Sequence, residues 1–152
     1  MYKEMRRKDR AISAEEAHQL LRTTDFGFLG LAGKDGKPYV VPLNHVVVDD
    51  CLVFHCAKEG QKLDLIRENP SVCYAVCTEH EVIPEELTTK YKSAIVFGTA
   101  EIVEDPETKT SLLKALSTGI APGIPFKCGP ETVARTSVVR VKIEKVTGKK
   151  SG

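Results

Sequence analysis

Residues 39–56 read YVVPLNHVVVDDCLVFHC, two runs of β-branched and apolar residues joined by a short Asp-Asp turn. Such runs favour β-strands, and the polar turn between them is typical of a β-hairpin. A second hairpin is predicted just before this one, because the apolar segment 26–31 is followed by a Lys-Asp-Gly-Lys turn at 34–37. Hairpins that follow one another directly contain no crossover helices, which argues against a doubly wound parallel sheet.

The rest of the chain extends this antiparallel pattern and adds short helices. The six predicted strands span residues 26–31, 39–48, 52–56, 72–78, 91–103 and 136–146. Helices are predicted after a capping box at 13–16, over 62–68 and from residue 106 to about 117. The segments 79–90 and 118–130 are predicted to be irregular. This order predicts a mainly β fold, a six-stranded antiparallel barrel with peripheral helices.

The composition narrows the possible classes of function. A length of 152 residues favours one domain over 1–152, with a basic N-terminal arm at 1–10. Lys and Arg number 22 against 21 Asp and Glu, so no basic field attracts nucleic acid or membranes. The charged start is not a secretory signal, and we expect a cytoplasmic protein. The five scattered cysteines include no Cys-x-x-Cys pair, so no metal site is expected.

The third predicted strand runs into a small-residue turn and a helix, with the sequence HCAKEGQK at 55–62. A helix start presents unpaired N–H groups and the positive end of the helix dipole, which together favour an anion. Gly60 lets the backbone approach closely, and Lys58 and Lys62 add full positive charges. The segment therefore predicts a phosphate-binding turn.

Pro42 lies inside the second predicted strand, where it cannot donate a hydrogen bond to a ladder. It marks either a simple bulge or edge, or a place where the ladder opens to receive a flat ligand. The residues alone leave both interpretations open.

Four motifs occur in order along the chain: the basic run at 6–10, PYVVPLN at 38–44, HxAxxGxK at 55–62 and YxSxxxFG at 91–98. Together they resemble the pyridoxamine 5′-phosphate oxidase-like flavin proteins, in particular the branch related to nitroimidazole-resistance (nitroimidazole reductase) proteins. The resemblance extends from about residue 6 to residue 148. It implies a split β-barrel that forms a homodimer and binds one FMN at each of two sites between the subunits.

The resemblance also implies which residues bind the cofactor. Lys62 corresponds to the basic residue that binds the flavin phosphate, with the rest of the turn beside it. Residues 55–57 follow the phosphate and ribityl chain, and the backbone of 41–44 faces the isoalloxazine ring. The implied cofactor-binding residues are Val41, Pro42, Leu43, Asn44, His55, Cys56, Ala57, Lys58, Gly60, Lys62, Tyr91 and Ser93.

His55 is the candidate catalytic residue, because a histidine can donate a proton near neutral pH; a structural role is the alternative. The function that the resemblance implies is an FMN-dependent oxidoreductase of small electron-poor substrates such as nitro-aromatics. The alternatives are a flavin- or haem-binding module without fast turnover, and an interaction barrel without a cofactor. The chain lacks the arginine-rich set of true pyridoxamine phosphate oxidases, so vitamin B6 oxidation is not expected. The basic arm is either a solvated tail or a cover over the flavin site of its own or of the partner subunit.

Overall fold

The computed structural model describes residues 2–152, so the predicted basic arm is seen from Tyr2 onward. The eight strands are β1 (Ala11–Ile12), β2 (Phe26–Ala32), β3 (Pro38–Asn44), β4 (Val46–Val48), β5 (Cys51–Ala57), β6 (Ser71–Ile83), β7 (Thr88–Val103) and β8 (Thr136–Ser151). The four α-helices are α1 (Ala14–Thr23), α2 (Gln61–Glu68), α3 (Pro106–Ile120) and α4 (Pro130–Arg135). Single 3₁₀ turns occupy Lys8–Arg10 and Pro84–Glu86.

All strand pairs are antiparallel, in the order β3-β2-β6-β7-β8-β5-β4, and β1 pairs with β8. β3 and β4 lie at opposite ends of this order, yet only His45 separates them along the chain. The sheet therefore curls on itself, and the predicted mainly β split barrel is confirmed.

The prediction of six strands is wrong, because the predicted strand 39–48 is interrupted at His45 and the short β1 is added. The backbone N–H of His45 donates to the carbonyl oxygen of Asp25, the residue before the start of β2, at 3.0 Å, and the His45 side chain is buried in the interior. The segment 79–90 is not irregular either. Val82 pairs with Thr89 and Ile83 with Thr88, so β6 and β7 continue into a long hairpin after a register shift.

Two apolar clusters lie on the two faces of the sheet. The barrel interior is filled by alternate strand residues such as Leu52 and Phe54, and α2 covers it with Leu63 and Ile66. The second cluster lies between the opposite face of the sheet and the helices α3 and α4. It contains Val53, Val103, Leu112, Leu113, Leu116, Val133 and Val138. Among residues 2–152, no helix combines the length and apolar character that crossing a membrane requires.

Candidate functional site

The predicted phosphate-binding turn leads into a real helix start. α2 begins at Gln61, which confirms the predicted helix, and Gly60 is its N-cap with a φ of 155°. A side chain at this φ would be strained, although a Cβ built there meets nothing within 4 Å.

No described side chain caps α2, whereas Ser13 caps α1 and Asp105 caps α3. The first helical hydrogen bond of α2 runs from Asp64 N to Gly60 O at 3.3 Å. The N–H groups before Asp64 therefore have no acceptor within the helix and are available to an anion.

Lys62 and Cys56 lie together on the interior side of this turn. Cys56 packs against the interior cluster, and Lys62 is half-buried on the first turn of α2. Burial raises the pKa of the Cys56 thiol, and the nearby Lys62 ammonium opposes part of this rise. The thiol is therefore protonated at neutral pH and is a poor nucleophile.

His55 and Ala57 alternate with Cys56 and face the outer side of β5. His55 is exposed and lines a groove of about 520 Å³ beside the C-terminal half of α3, with Leu116 and Phe126 among the other walls. Lys58 lines a different cavity, together with Lys109. The residues of the motif at 55–62 thus point to opposite sides of β5.

The residues of β3 are also divided between the two faces of the sheet. Val41 and Leu43 pack against the interior cluster, whereas Pro42 and Asn44 are exposed on the outer face. Pro42 pairs with Phe28 in an unbroken register, so the bulge interpretation is wrong. β3 is instead an edge strand, one of the positions at which proline is tolerated.

Tyr91 and Ser93 lie on β7, and both residues are half-buried. Lys149 Nζ lies 6.0 Å from the centre of the Tyr91 ring, and Ser93 pairs with Cys77 and with Lys149. These contacts place the two residues near the end of the barrel at which β1 joins β8.

The N-terminal arm is docked on its own chain rather than extended as a solvated tail. The Tyr2 ring lies 4.9 Å from the Phe97 ring on β7, and Lys145 Nζ donates to Lys3 O at 3.3 Å. The arm therefore lies on β7 and β8 of its own subunit. Whether it also covers a cofactor stays a prediction.

The predicted site residues do not form one pocket within a single chain. His55 and Val103 both pair with Val138, so they lie at the same height on the sheet. Ser93 precedes Val103 by ten positions on β7, which is about 33 Å along the strand at roughly 3.3 Å per residue. The predicted phosphate-binding turn and the Tyr91–Ser93 pair are therefore at opposite ends of the barrel.

His45 is a buried residue with a structural role. Its Nε2 lies 2.9 Å from Leu21 O and its Nδ1 2.7 Å from the Tyr74 hydroxyl, which also lies 3.1 Å from Leu43 O. Burial lowers the pKa of His45, so the ring is neutral. The contacts assign the proton to Nε2, which donates to Leu21 O, while Nδ1 accepts from Tyr74. This network ties α1 to the break between β3 and β4.

Sequence reasoning missed Lys109. This residue is 5% exposed, and it lies three, four and seven positions before Leu112, Leu113 and Leu116 on the apolar face of α3. The sequence pattern that could have identified Lys109 is a lysine at a position that the helical period places on the apolar face of α3.

The curled antiparallel barrel and the uncapped, lysine-flanked helix start are the features that the sequence motifs predicted. The sequence profile of the family described as pyridoxamine 5′-phosphate oxidase matches residues 13–150, and the chain belongs to this family. None of the curated proteins matches the chain.

Several solved structures share the fold. A candidate 5-nitroimidazole antibiotic resistance protein from Bacteroides thetaiotaomicron is 26% identical, with a TM-score of 0.81 over 91% of this chain and 85% of that one. An FAD-binding protein from Mesorhizobium loti is 28% identical, with a TM-score of 0.72 over 94% of this chain and 98% of that one. An FAD and haem binding protein from Mycobacterium smegmatis is 26% identical, with a TM-score of 0.80 over 91% and 71%.

Proposed function

We propose that the protein is a flavin-dependent oxidoreductase that binds FMN and reduces small electron-poor substrates such as nitro-aromatics. The observation that carries the proposal is the start of α2, where open N–H groups, Gly60 and Lys62 converge. The terminal phosphate monoester of FMN is a compact dianion that suits such a site. Family membership and the flavin-binding names of two similar structures support the same class of cofactor.

FAD is the alternative flavin, because two of the similar proteins are named for it. In FAD, the phosphate that ends FMN is linked to a second phosphate and an adenosine. The two cofactors are distinguished by releasing the bound flavin from purified protein and identifying it by chromatography. Colourless protein that takes up neither flavin at saturating concentration would end the proposal.

We further propose that two copies of the chain build each flavin site. Phe26, Phe28 and Val40 are 49%, 50% and 63% exposed, on the same outer face as Pro42 and Asn44. Exposed apolar surface of this kind is typical of an interface. In this proposed dimer, Tyr91 and Ser93 of one copy would contribute to the flavin site at the α2 turn of the other, an arrangement that would account for their separation within one chain.

A bound flavin supplies hydride and single-electron transfer. The residues of this chain would bind and orient it: α2 and Lys62 at the phosphate, and the backbone of 41–44 near the ring. His55 makes no side-chain hydrogen bond to any residue from 2 to 152. Its exposed ring is therefore available to donate a proton to a substrate bound beside the flavin.

The second candidate function is a flavin- or haem-binding module without fast turnover, favoured by the similarity to an FAD and haem binding protein. Haem requires an axial ligand. His45 has both ring nitrogens engaged in the buried network, whereas His55 is exposed. A Soret band that disappears in His55→Ala would favour this second function, whereas flavin bands with measurable nitro-aromatic turnover would favour the first.

A further inference from the structure

A cavity of about 480 Å³ between α3 and α4 contains two lysines, Lys58 and Lys109. Lys109 is 5% exposed. Within the described part of the chain, its ammonium group has no carboxylate oxygen within 4.0 Å and no hydrogen bond. Glu104 contributes to the wall of the cavity without forming an ion pair with Lys109.

Two ammonium groups held close together repel each other, and most of the Lys109 side chain is buried while its ammonium group reaches the cavity. Burial lowers the pKa of Lys109, the adjacent Lys58 lowers it further, and Glu104 opposes the change. The position of Lys109 on the apolar face of α3 suits a leucine or methionine better than a charged residue. A bound anion would remove this conflict, since it would compensate both charges.

We propose that this cavity binds the oxyanion group of a small organic molecule, either a carboxylate or a phosphate monoester. The two lysines would make charge-assisted hydrogen bonds to the oxyanion. The apolar body of the ligand would contact the remaining walls, which include Pro106, Cys128, Pro130 and Val133. The volume lies within the range of pockets for small molecules, roughly 300–1,000 Å³.

This site is separate from the one proposed for the flavin phosphate. Lys62 lies with Cys56 on the interior side of β5, whereas Lys58 joins Lys109 on the side that α3 and α4 cover. The turn at 58–62 would thus contact two anions, one on each side of the strand. Binding of the second anion would be a function beyond flavin binding.

The test is an NMR titration of the as-purified protein, carrying ¹³C-labelled lysine, with inorganic phosphate and separately with benzoate at mildly alkaline pH. We expect saturable shifts of the Lys58 and Lys109 side-chain signals and a rise in the pKa of Lys109. Lys58→Met and Lys109→Met should each weaken binding by about tenfold or more, the loss of one charge-assisted contact. The tighter of the two probes identifies the oxyanion.

Two control variants distinguish this site from others. Lys114→Met removes an exposed charge from the same helix, and Lys62→Ala removes the charge assigned to the flavin phosphate; both should leave the titration unchanged. The proposal is wrong if neither probe gives a saturable shift, or if a control weakens binding as much as Lys58→Met. Lys58→Met decides the matter if Lys109→Met does not fold. Because the readout needs no flavin, failure of the proposed redox function would leave this result standing.

Discussion

Lys62→Ala tests whether the start of α2 binds the flavin phosphate. One hydrogen bond to a charged group contributes about 1.5–3 kcal/mol. Lys62 is only half-buried, so solvent screening favours the lower end of this range. A loss of about 1.5 kcal/mol corresponds to a roughly tenfold weaker dissociation constant for FMN.

The assay is a titration of apoprotein followed by flavin fluorescence, performed in parallel with FMN and with riboflavin, which has no phosphate. Lys62→Ala should weaken FMN binding while leaving riboflavin binding unchanged. Arg67→Ala is the matched control, because it removes a positive charge from the last turn of the same helix, where Arg67 pairs with Asp64 at 3.5 Å. Equal losses for the two flavins, or wild-type affinity for FMN, would refute the assignment of the phosphate to this turn.

Three further predictions concern association, stability and turnover. Phe28→Ser should shift sedimentation from dimer toward monomer. The half-exposed Phe28 ring offers about 100 Å² of apolar surface, and burying this surface in a dimer would contribute about 2.5 kcal/mol for each subunit. Unchanged sedimentation would count against the proposed face. The folded-state pKa of His45 lies below its unfolded value, so its contribution to stability is complete above about pH 6.5 and decreases as the pH falls toward the folded pKa. The urea midpoint should therefore drop in mild acid, and a pH dependence identical in His45→Gln would contradict this. His55→Gln should lower kcat for a nitro-aromatic substrate by about a hundredfold without changing flavin affinity, whereas an unchanged kcat would assign His55 a structural role.

The structural features that could be predicted from the sequence are those that depend on residues close together in the chain. The hairpin order follows from alternating runs and turns, and the start of α2 follows from Gly60 and the residues beside it. The break at His45 could not be predicted, because valines on both sides make the run 39–48 look continuous. What breaks the strand is a buried contact with Tyr74, a residue 29 positions away.

The arrangement of the candidate site was less accessible from sequence. Lys58 and Lys62 belong to one motif and carry the same charge, yet their side chains lie on different sides of β5. Their directions depend on where the strand ends and how α2 leaves the turn. The distance between the predicted phosphate-binding turn and Ser93 likewise depends on the strand register. Chain order alone does not reveal it.

The prolines of β3 have a consequence for how the protein resists aggregation. Pro38 and Pro42 are four positions apart, so their backbone nitrogens point to the same side of the strand. The ladder to β2 is unbroken from Pro38 to Asn44, so these nitrogens face the unpaired edge. A foreign strand that approached this edge would find alternate donors missing and could not extend the sheet in regular register. The exposed edge of the sheet is thereby protected from strand addition by other chains.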